Sequence, residues 1–394
     1  MKIRKSLLIY AFVILIMMGP GRLMNMFLPY SSYVFMILQF CIGFLFLRNY
    51  SYGSMKKERE TLLFILFFFI ALLGMLFTYG TDVKGIIRYI CWTCSLIGLH
   101  AFLVNADDDR IKVFLEAGRA LYVVGYLLTI LFGLRMTEDM AYGTAVFFWG
   151  SEAITVQAFI TLFAISVYYD IRFYNQISKF AIIMGSLSVL FCIMNNSGQG
   201  ISMFCTLIGL LLINKYCHER LWKIITPLVV LCVLAGLYYL VITLRFTEID
   251  VVVNYITTVL SKDITLTGRD AIFSASLKIF GDHPWIGYGY NNAIINDVLG
   301  KNVMQFNTAH NSILQMLIDY GILGTGIFVL LMYGWMTKMY KTNDMASKVM
   351  YFSIIAMFIG GLVNMVVPTN NFWLVAMIGI SMSYHQGDSD NIEE

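Results

Sequence analysis

Long apolar stretches separated by short polar clusters run through almost the whole chain. Most are about 17–25 residues long, enough for a helix to cross a membrane core of roughly 30 Å. Their approximate bounds are 6–19, 30–47, 61–79, 85–104, 113–133, 146–168, 180–194, 200–214, 224–243, 309–337, 349–367 and 372–384. This pattern predicts an all-α polytopic membrane protein with about twelve transmembrane helices.

One connection is much longer than the others. Residues 1–243 hold the first nine predicted helices, 309–384 hold the last three, and 385–394 form a tail. Between them lies a loop over residues 244–308. A loop of this length in a compact protein is usually functional or disordered, and its content of Ile, Phe, Val and Tyr argues against disorder. We therefore expect the chemistry of the protein in this loop.

The composition supports a membrane protein. Hydrophobic residues make up 59% of the chain and charged residues 13%, with a mean hydropathy of +0.74. Soluble domains are roughly half apolar and a quarter charged. The short polar connections leave no room for a separate soluble domain.

Basic residues are distributed unevenly over the connections. If the N-terminus is cytoplasmic, about two thirds of the 27 Lys and Arg residues fall on the inner side, as expected for cytoplasmic connections. The long loop over 244–308 is then extracytoplasmic, and the tail over 385–394 is cytoplasmic.

The long loop contains a helix signal of its own. Thr267 and Asp270 have the spacing of a capping box, and Pro284 ends the pattern. The apolar residues that follow the capping box at helical spacing are Ile272, Phe273, Leu277 and Phe280. We therefore expect a short amphipathic helix over about 268–281, near the outer membrane surface.

His310 stands at the predicted start of the next apolar helix. This helix runs to about Thr337, which makes it roughly 42 Å long, so its first turns should lie in the outer interface. The positive end of the helix dipole disfavours an imidazolium there and keeps the ring able to accept a proton. His310 is therefore a candidate general base. The alternative is an interfacial histidine that caps the helix.

Arg269 falls in the first turn of the predicted loop helix. Unpaired backbone N–H groups favour an anion at that place, and the planar guanidinium binds phosphate oxygens in a bidentate manner. Arg269 is therefore a candidate for a phosphate or diphosphate site. The alternative is a salt bridge to Asp270, to Asp282 or to a lipid headgroup. Arg245 is a weaker candidate, because basic residues at helix ends usually extend to headgroups.

The segment after the loop helix is rich in glycine. Residues 281–289 read GDHPWIGYG, a turn in which the backbone could approach a ligand closely, and His283 lies in it. Elsewhere in the loop, Glu248 and Asp250 could bind a metal in principle. Carboxylates two residues apart are common by chance, and the first outer loop over 19–30 has no acidic residue. We therefore expect no metal site.

The motifs of this region have a characteristic order and spacing. They are Gly268-Arg269, His283-Pro284, Gly287-x-Gly289, Ala309-His310-Asn311-Ser312-x-Leu314 and Gly321-x-x-Gly324. Together, over about residues 265–326, they resemble the region shared by bacterial O-antigen ligases and the polymerases of O-antigen or capsule repeat units. The surrounding layout, with a long outer loop before the tenth span, is similar too.

The resemblance implies a GT-C-like fold and a metal-independent glycosyltransferase without a cofactor. Its active site would face the extracytoplasmic side of the bacterial cytoplasmic membrane. Members of the family take a glycan from an undecaprenyl-diphosphate carrier and join it to a hydroxyl of an acceptor glycan. By resemblance, His310 matches the histidine thought to activate that hydroxyl, and Arg269 matches the arginine thought to hold the diphosphate.

One feature of the family is missing. Members often have a second arginine in the outer hairpin between the seventh and eighth spans, but residues 195–200 read NNSGQG here. Gln199 or Arg245 is expected to take its place, with His283 and Asn311 as further substrate-binding candidates. The expected partners are the lipid-linked oligosaccharide, the acceptor glycan, membrane lipids, a flippase and a chain-length regulator, but no nucleic acid.

Three functions remain open at this point. The motifs do not encode the acceptor, and we prefer a polymerase over a ligase because polymerases are the more diverse and numerous group. A rival of another class is a transporter or flippase for the same lipid-linked glycans. Such proteins commonly show internal repeats and ionisable residues near mid-membrane. This sequence shows no convincing repeat, and its predicted spans have few charges apart from Glu152 and Asp319.

Overall fold

The computed structural model describes residues 5–18, 30–50, 59–78, 80–131, 137–139, 144–243, 253–254, 257–258, 269–290, 292 and 308–390. The helices are α1 (Lys5–Met18), α2 (Ser31–Asn49), α3 (Arg59–Phe77), α4 (Val83–Asn105), α5 (Asp108–Leu131), α6 (Glu152–Tyr174), α7 (Lys179–Met194), α8 (Gly198–Ile224), α9 (Pro227–Ile242), α10 (Arg269–Asp282), α11 (Ser312–Thr342), α12 (Met345–Gly361) and α13 (Asn370–Asp390). The strands are β1 (Thr137–Asp139), β2 (Thr144–Phe147) and β3 (Gly150–Ser151).

Every predicted apolar stretch overlaps one of these helices. Seven helices in the described part of the chain are long and apolar enough to cross a membrane, namely α2, α3, α4, α5, α6, α8 and α11. Shorter apolar helices are α1, α7, α9, α12 and the first part of α13. The chain is a multi-pass, nearly all-helical membrane protein. The number of twelve spans and the GT-C-like arrangement stay predictions.

A small antiparallel sheet precedes α6. Strand β2 pairs with both β1 and β3, so the prediction of helix from residue 146 was wrong. The turn into β3 needs Gly150, whose φ is +129°. Trp149 beside it is buried against Gly125 of α5. The helix begins only at Glu152, where a carboxylate in the first turn is favourable.

The two ends of the helix bundle differ in chemistry. At one end, Lys338 of α11 pairs with Glu60 of α3 at 3.3 Å, and Arg119 of α5 pairs with Asp170 of α6 at 3.0 Å. At the opposite end, where α3 finishes and α11 begins, hydrogen bonds of amides, hydroxyls and main chain join distant parts of the chain. We call this second end the site end, because it carries His310.

Helix α11 is interrupted at Gly321, where φ is 63° and ψ is −170°. Essentially only glycine adopts this conformation. The break leaves the carbonyls of Ile318 and Asp319 and the N–H groups of Ile322 and Leu323 without their usual helical partners. These four groups must bond elsewhere, because buried main-chain polar groups are almost always paired.

The glycine-rich turn after α10 supplies the missing partners. The four bonds are Tyr288 N to Ile318 O at 2.9 Å, Gly289 N to Asp319 O at 2.8 Å, Ile322 N to Pro284 O at 2.8 Å and Leu323 N to Trp285 O at 3.0 Å. A Cβ atom added at Gly287 would lie 2.5 Å from Ile318 O, and Gly289 N lies close to Gly74 of α3. The close approach predicted for these glycines is therefore to the backbone of α3 and α11.

Candidate active site

Helix α10 lies against the start of α11. Its predicted bounds of 268–281 agree with the observed helix to within one residue at each end, while Thr267 and Gly268 lie outside the described residues. One buried cluster joins the two helices, with Phe273 and Ile279 from α10 and Leu314 and Ile318 from α11. This packing, together with the main-chain bonds of the following turn, fixes Arg269 relative to the start of α11.

Arg269 is partly buried at the N-terminus of α10. Burial lowers the pKa of its guanidinium to about 10, so the group stays charged at neutral pH. Among the described residues no carboxylate pairs with it. Asp282 lies at the other end of α10, roughly 20 Å along the axis, and the side chain of Asp270 lies outside the description. A largely buried guanidinium needs negative charge or hydrogen-bond acceptors close to it, so the arrangement favours an anionic ligand.

His310 precedes α11 and is not part of the helix. The side chain of Asn311 accepts a hydrogen bond from Leu314 N at 3.0 Å and caps the helix, which begins at Ser312. The prediction that His310 begins the helix was therefore wrong by two residues. Its backbone is left-handed, with φ of 46°, a conformation that few residues other than glycine adopt. The interpretation of His310 as the helix cap is excluded.

The imidazole of His310 is held neutral. Burial lowers its pKa to about 4, and the nearby charge of Arg269 contributes in the same direction. The ring can therefore accept a proton at neutral pH. The influence of Arg269 also means that the two side chains lie within electrostatic reach of each other. The structure thus brings together the two residues that the sequence singled out.

Asn311 and Ser312 attach the His310 segment to the connection between α12 and α13. Asn311 Nδ2 donates to Leu362 O at 3.0 Å. Ser312 Oγ donates to Asn364 O at 3.1 Å and accepts from the N–H groups of Val366 and Val367 at 2.9 and 3.0 Å. Both polar atoms of the Asn311 side chain are thus engaged within the protein. Its contribution to the site is to hold the backbone beside His310.

Gln199 reaches the same connection from the start of α8. Its Oε1 accepts a hydrogen bond from Asn364 Nδ2 at 2.8 Å. Its Nε2 is buried and has no hydrogen-bond partner among the described residues. A buried amide donor without a partner costs free energy, so Gln199 Nε2 is available for an oxygen of a bound molecule.

The comparison with protein families supports the same region. Residues 183–329 match the family model described as O-antigen ligase. This stretch is similar to O-antigen ligases. The match confirms the resemblance predicted from the motifs, which lie at about residues 265–326 within it. Comparison with curated proteins and with solved structures found no match.

The other residues that the sequence analysis proposed for the site have different positions. His283 is exposed, and its ring packs edge-on against Tyr288 at 4.5 Å between centroids, within the turn that joins α11. No described contact joins His283 to His310. Arg245, Glu248 and Asp250 lie outside the described residues. Among the residues that are described, no group of three His, Cys, Asp or Glu side chains could hold a metal ion.

Two polar residues at the site end were not singled out from the sequence. Gln157 of α6 donates from Nε2 to Met365 O at 2.9 Å. Thr369 Oγ1 lies 3.3 Å from Gln157 Oε1. Both residues hold the α12–α13 connection to which Ser312 is bonded. Neither belongs to a motif, so only their position in the fold reveals this role.

Proposed function

We propose that the protein transfers a glycan from a lipid-linked diphosphate, undecaprenyl diphosphate in bacteria, to a hydroxyl of an acceptor glycan. The reaction would take place at the extracytoplasmic face of the cytoplasmic membrane. The preferred form is a repeat-unit polymerase, and the alternative is a ligase that uses another acceptor. One observation carries the proposal. Within the stretch that matches the O-antigen ligase family, a charged Arg269 lies close enough to His310 to lower its pKa.

The chemistry needs few protein groups. The bond between the sugar C1 and the diphosphate oxygen breaks while a bond from the acceptor oxygen to C1 forms. His310 accepts the proton of the acceptor hydroxyl. Arg269 and the first N–H groups of α10 offset the negative charge that develops on the departing diphosphate. No step requires a metal ion, because the guanidinium takes the part that a cation would otherwise have.

The charge distribution supports an extracytoplasmic site. The ion pairs that involve Lys338, Arg119 and Arg172 lie at the end of the bundle away from His310. Connections rich in Lys and Arg usually stay in the cytoplasm. The site end then faces outward, where lipid-linked glycans are assembled into polymers.

The two pKa shifts give a prediction for the pH dependence. Transfer should fall in acid as His310 becomes protonated, and the acid limb of kcat/KM should lie near pH 4. The limb of kcat should lie at higher pH, because a bound diphosphate stabilises the imidazolium. In Arg269→Met the loss of a positive neighbour should raise the pKa of His310 and move the kcat/KM limb upward. Rates measured from pH 3 to 8 check this, and an unmoved limb in Arg269→Met would contradict it.

The proposed function can be tested with purified protein in lipid vesicles. Supplied with a lipid-linked repeat unit, it should form new glycosidic bonds, visible as a ladder of longer glycans. Elongation of the lipid-linked chain identifies a polymerase, and transfer only to a different added acceptor identifies a ligase. Movement of the lipid-linked glycan across the bilayer without bond formation would instead identify a transporter and refute the proposal.

A further inference from the structure

A chain of two buried hydrogen bonds runs from the backbone before His310 into α11. Ala309 N donates to Gln315 Oε1 at 2.8 Å. Gln315 Nε2 in turn donates to Asp319 Oδ1 at 2.9 Å. All three residues are buried, with Gln315 at 5% and Asp319 at 2% exposure.

The carboxylate fixes the orientation of the glutamine. An amide has one accepting and one donating end, and Oδ1 of Asp319 accepts from the donating end. With Asp319 facing Nε2, the Oε1 end of Gln315 must point to Ala309 N. Residues four apart lie on the same face of a helix, so Gln315 and Asp319 meet without distortion. The main chain at residue 309 is thereby held where the left-handed His310 follows.

Asp319 also contacts the turn that follows the Arg269 helix. Its carbonyl accepts the hydrogen bond from Gly289 N at the break in α11. One residue therefore holds the His310 segment through its side chain and the end of the α10 turn through its main chain. The carboxyl does not neutralise the anion site, because burial alone accounts for the lowered pKa of Arg269.

A buried carboxyl in an apolar helix is costly and is usually kept for a function. We propose that Asp319 is a positioning residue for His310 and acts through Gln315. This inference rests on the proposed function of His310 as the base. Asp319 touches neither glycan nor diphosphate in this scheme. Its effect is to keep the imidazole in line with the acceptor hydroxyl and with the sugar whose diphosphate Arg269 binds.

Loss of the carboxylate acceptor should lower kcat but not donor binding. In Asp319→Leu the amide of Gln315 loses its orientation, and we expect kcat to fall about 10²-fold, as for a misplacement of about 1 Å. Asp319→Asn keeps an accepting oxygen and should retain most of the rate. The KM for the lipid-linked donor should stay unchanged in both variants, because Arg269 and α10 are intact.

An exchange of residue types tests the chain of two hydrogen bonds from Ala309 to Asp319. Gln315→Glu replaces the donating end of the amide by an oxygen and should lower kcat as strongly as Asp319→Leu. The double variant Gln315→Glu with Asp319→Asn restores both bonds, since the new asparagine donates to the new glutamate and the glutamate accepts from Ala309 N. We expect kcat to recover at least tenfold over Gln315→Glu. No recovery in the double variant would overturn the inference.

The control is Asp170→Asn, which alters a buried carboxyl at the opposite end of the bundle. Its kcat should equal that of the unmodified protein, with kcat expressed per folded protein by size-exclusion recovery. A similar loss in Asp170→Asn would assign the effect to general stability and overturn the inference. If the unmodified protein forms no glycosidic bond, the proposed function itself fails. If it does and the double variant shows no recovery, only the role of Asp319 fails.

Discussion

Replacement of His310 by asparagine should slow glycan transfer by about 10²–10⁴-fold, the usual value of a general base. Asparagine is the informative substitution because His310 has a φ of 46°, and asparagine adopts left-handed backbone more readily than alanine does. The fold should therefore be preserved while the proton acceptor is lost. The rate is measured as glycan ladder formation by purified protein at pH 7, and His310→Ala should show a loss at least as large.

A second histidine serves as the control for this experiment. His218→Ala changes a residue near the end of α8, at the opposite end of that helix from Gln199, and should leave the rate unchanged. The acid limb of the rate should also disappear from the residual activity of His310→Asn. A transfer rate within about threefold of the unmodified protein would exclude His310 as the base.

Replacement of Arg269 by lysine should also cause a large loss, although the charge is kept. Lysine cannot form the two parallel hydrogen bonds that the planar guanidinium makes to phosphate oxygens. With hydrogen bonds to charged groups worth about 1.5–3 kcal/mol, we expect kcat/KM to fall about 10–100-fold. Arg269→Met should fall further, to about 10²–10³-fold in kcat, as for removal of one group that stabilises transition-state charge.

The matched control lies on the same helix. Lys278 is an exposed cation of α10, so Lys278→Met changes the net charge of the loop without altering Arg269 or His310. Its kcat/KM should stay close to that of the unmodified protein. Equal losses in Lys278→Met and Arg269→Met would mean that only the overall charge of the loop matters. Near-normal kinetics in Arg269→Lys would make the guanidinium a structural group.

The parts of the fold with a strong local signal were predictable from the sequence. Helix α10 was located to within one residue at each end, because a capping pattern and Pro284 bound a short apolar periodicity. The apolar stretches located the bundle helices for the same reason. The sheet before α6 was missed, because Val146, Phe147 and Trp149 are as apolar as a membrane span.

The break in α11 could not be predicted from local sequence. Gly321 alone is compatible with a continuous helix, and the interruption depends on a turn more than thirty residues earlier that supplies four main-chain bonds. Residues 281–289 were expected to approach a ligand closely, whereas their described contacts are with the backbone of α3 and α11. Pairings over such separations leave no periodic pattern in the sequence.

The reactive residues of the candidate site were predictable from the sequence. The contacts that hold them in place were less so. Arg269 and His310 were identified by residue type, by helix position and by the motif order, and the structure brings them within electrostatic reach. Asn311 was expected to bind substrate, whereas its amide caps α11 and binds Leu362 O. The partners of Gln199 and Ser312 in the α12–α13 connection had no signal, because those contacts join distant parts of the chain.

The side of the membrane that Arg269 and His310 face decides whether they can meet lipid-linked glycans. It can be measured by labelling single cysteines in cells, in a background in which the exposed Cys41, Cys205, Cys217 and Cys232 are replaced by alanine. The exposed Asp282 at the end of α10 and the exposed Lys341 at the far end of α11 are suitable positions. Asp282→Cys should react with a membrane-impermeant maleimide in intact cells, and Lys341→Cys only after permeabilisation. The reverse pattern would place Arg269 and His310 on the cytoplasmic side and contradict the proposed glycan transfer.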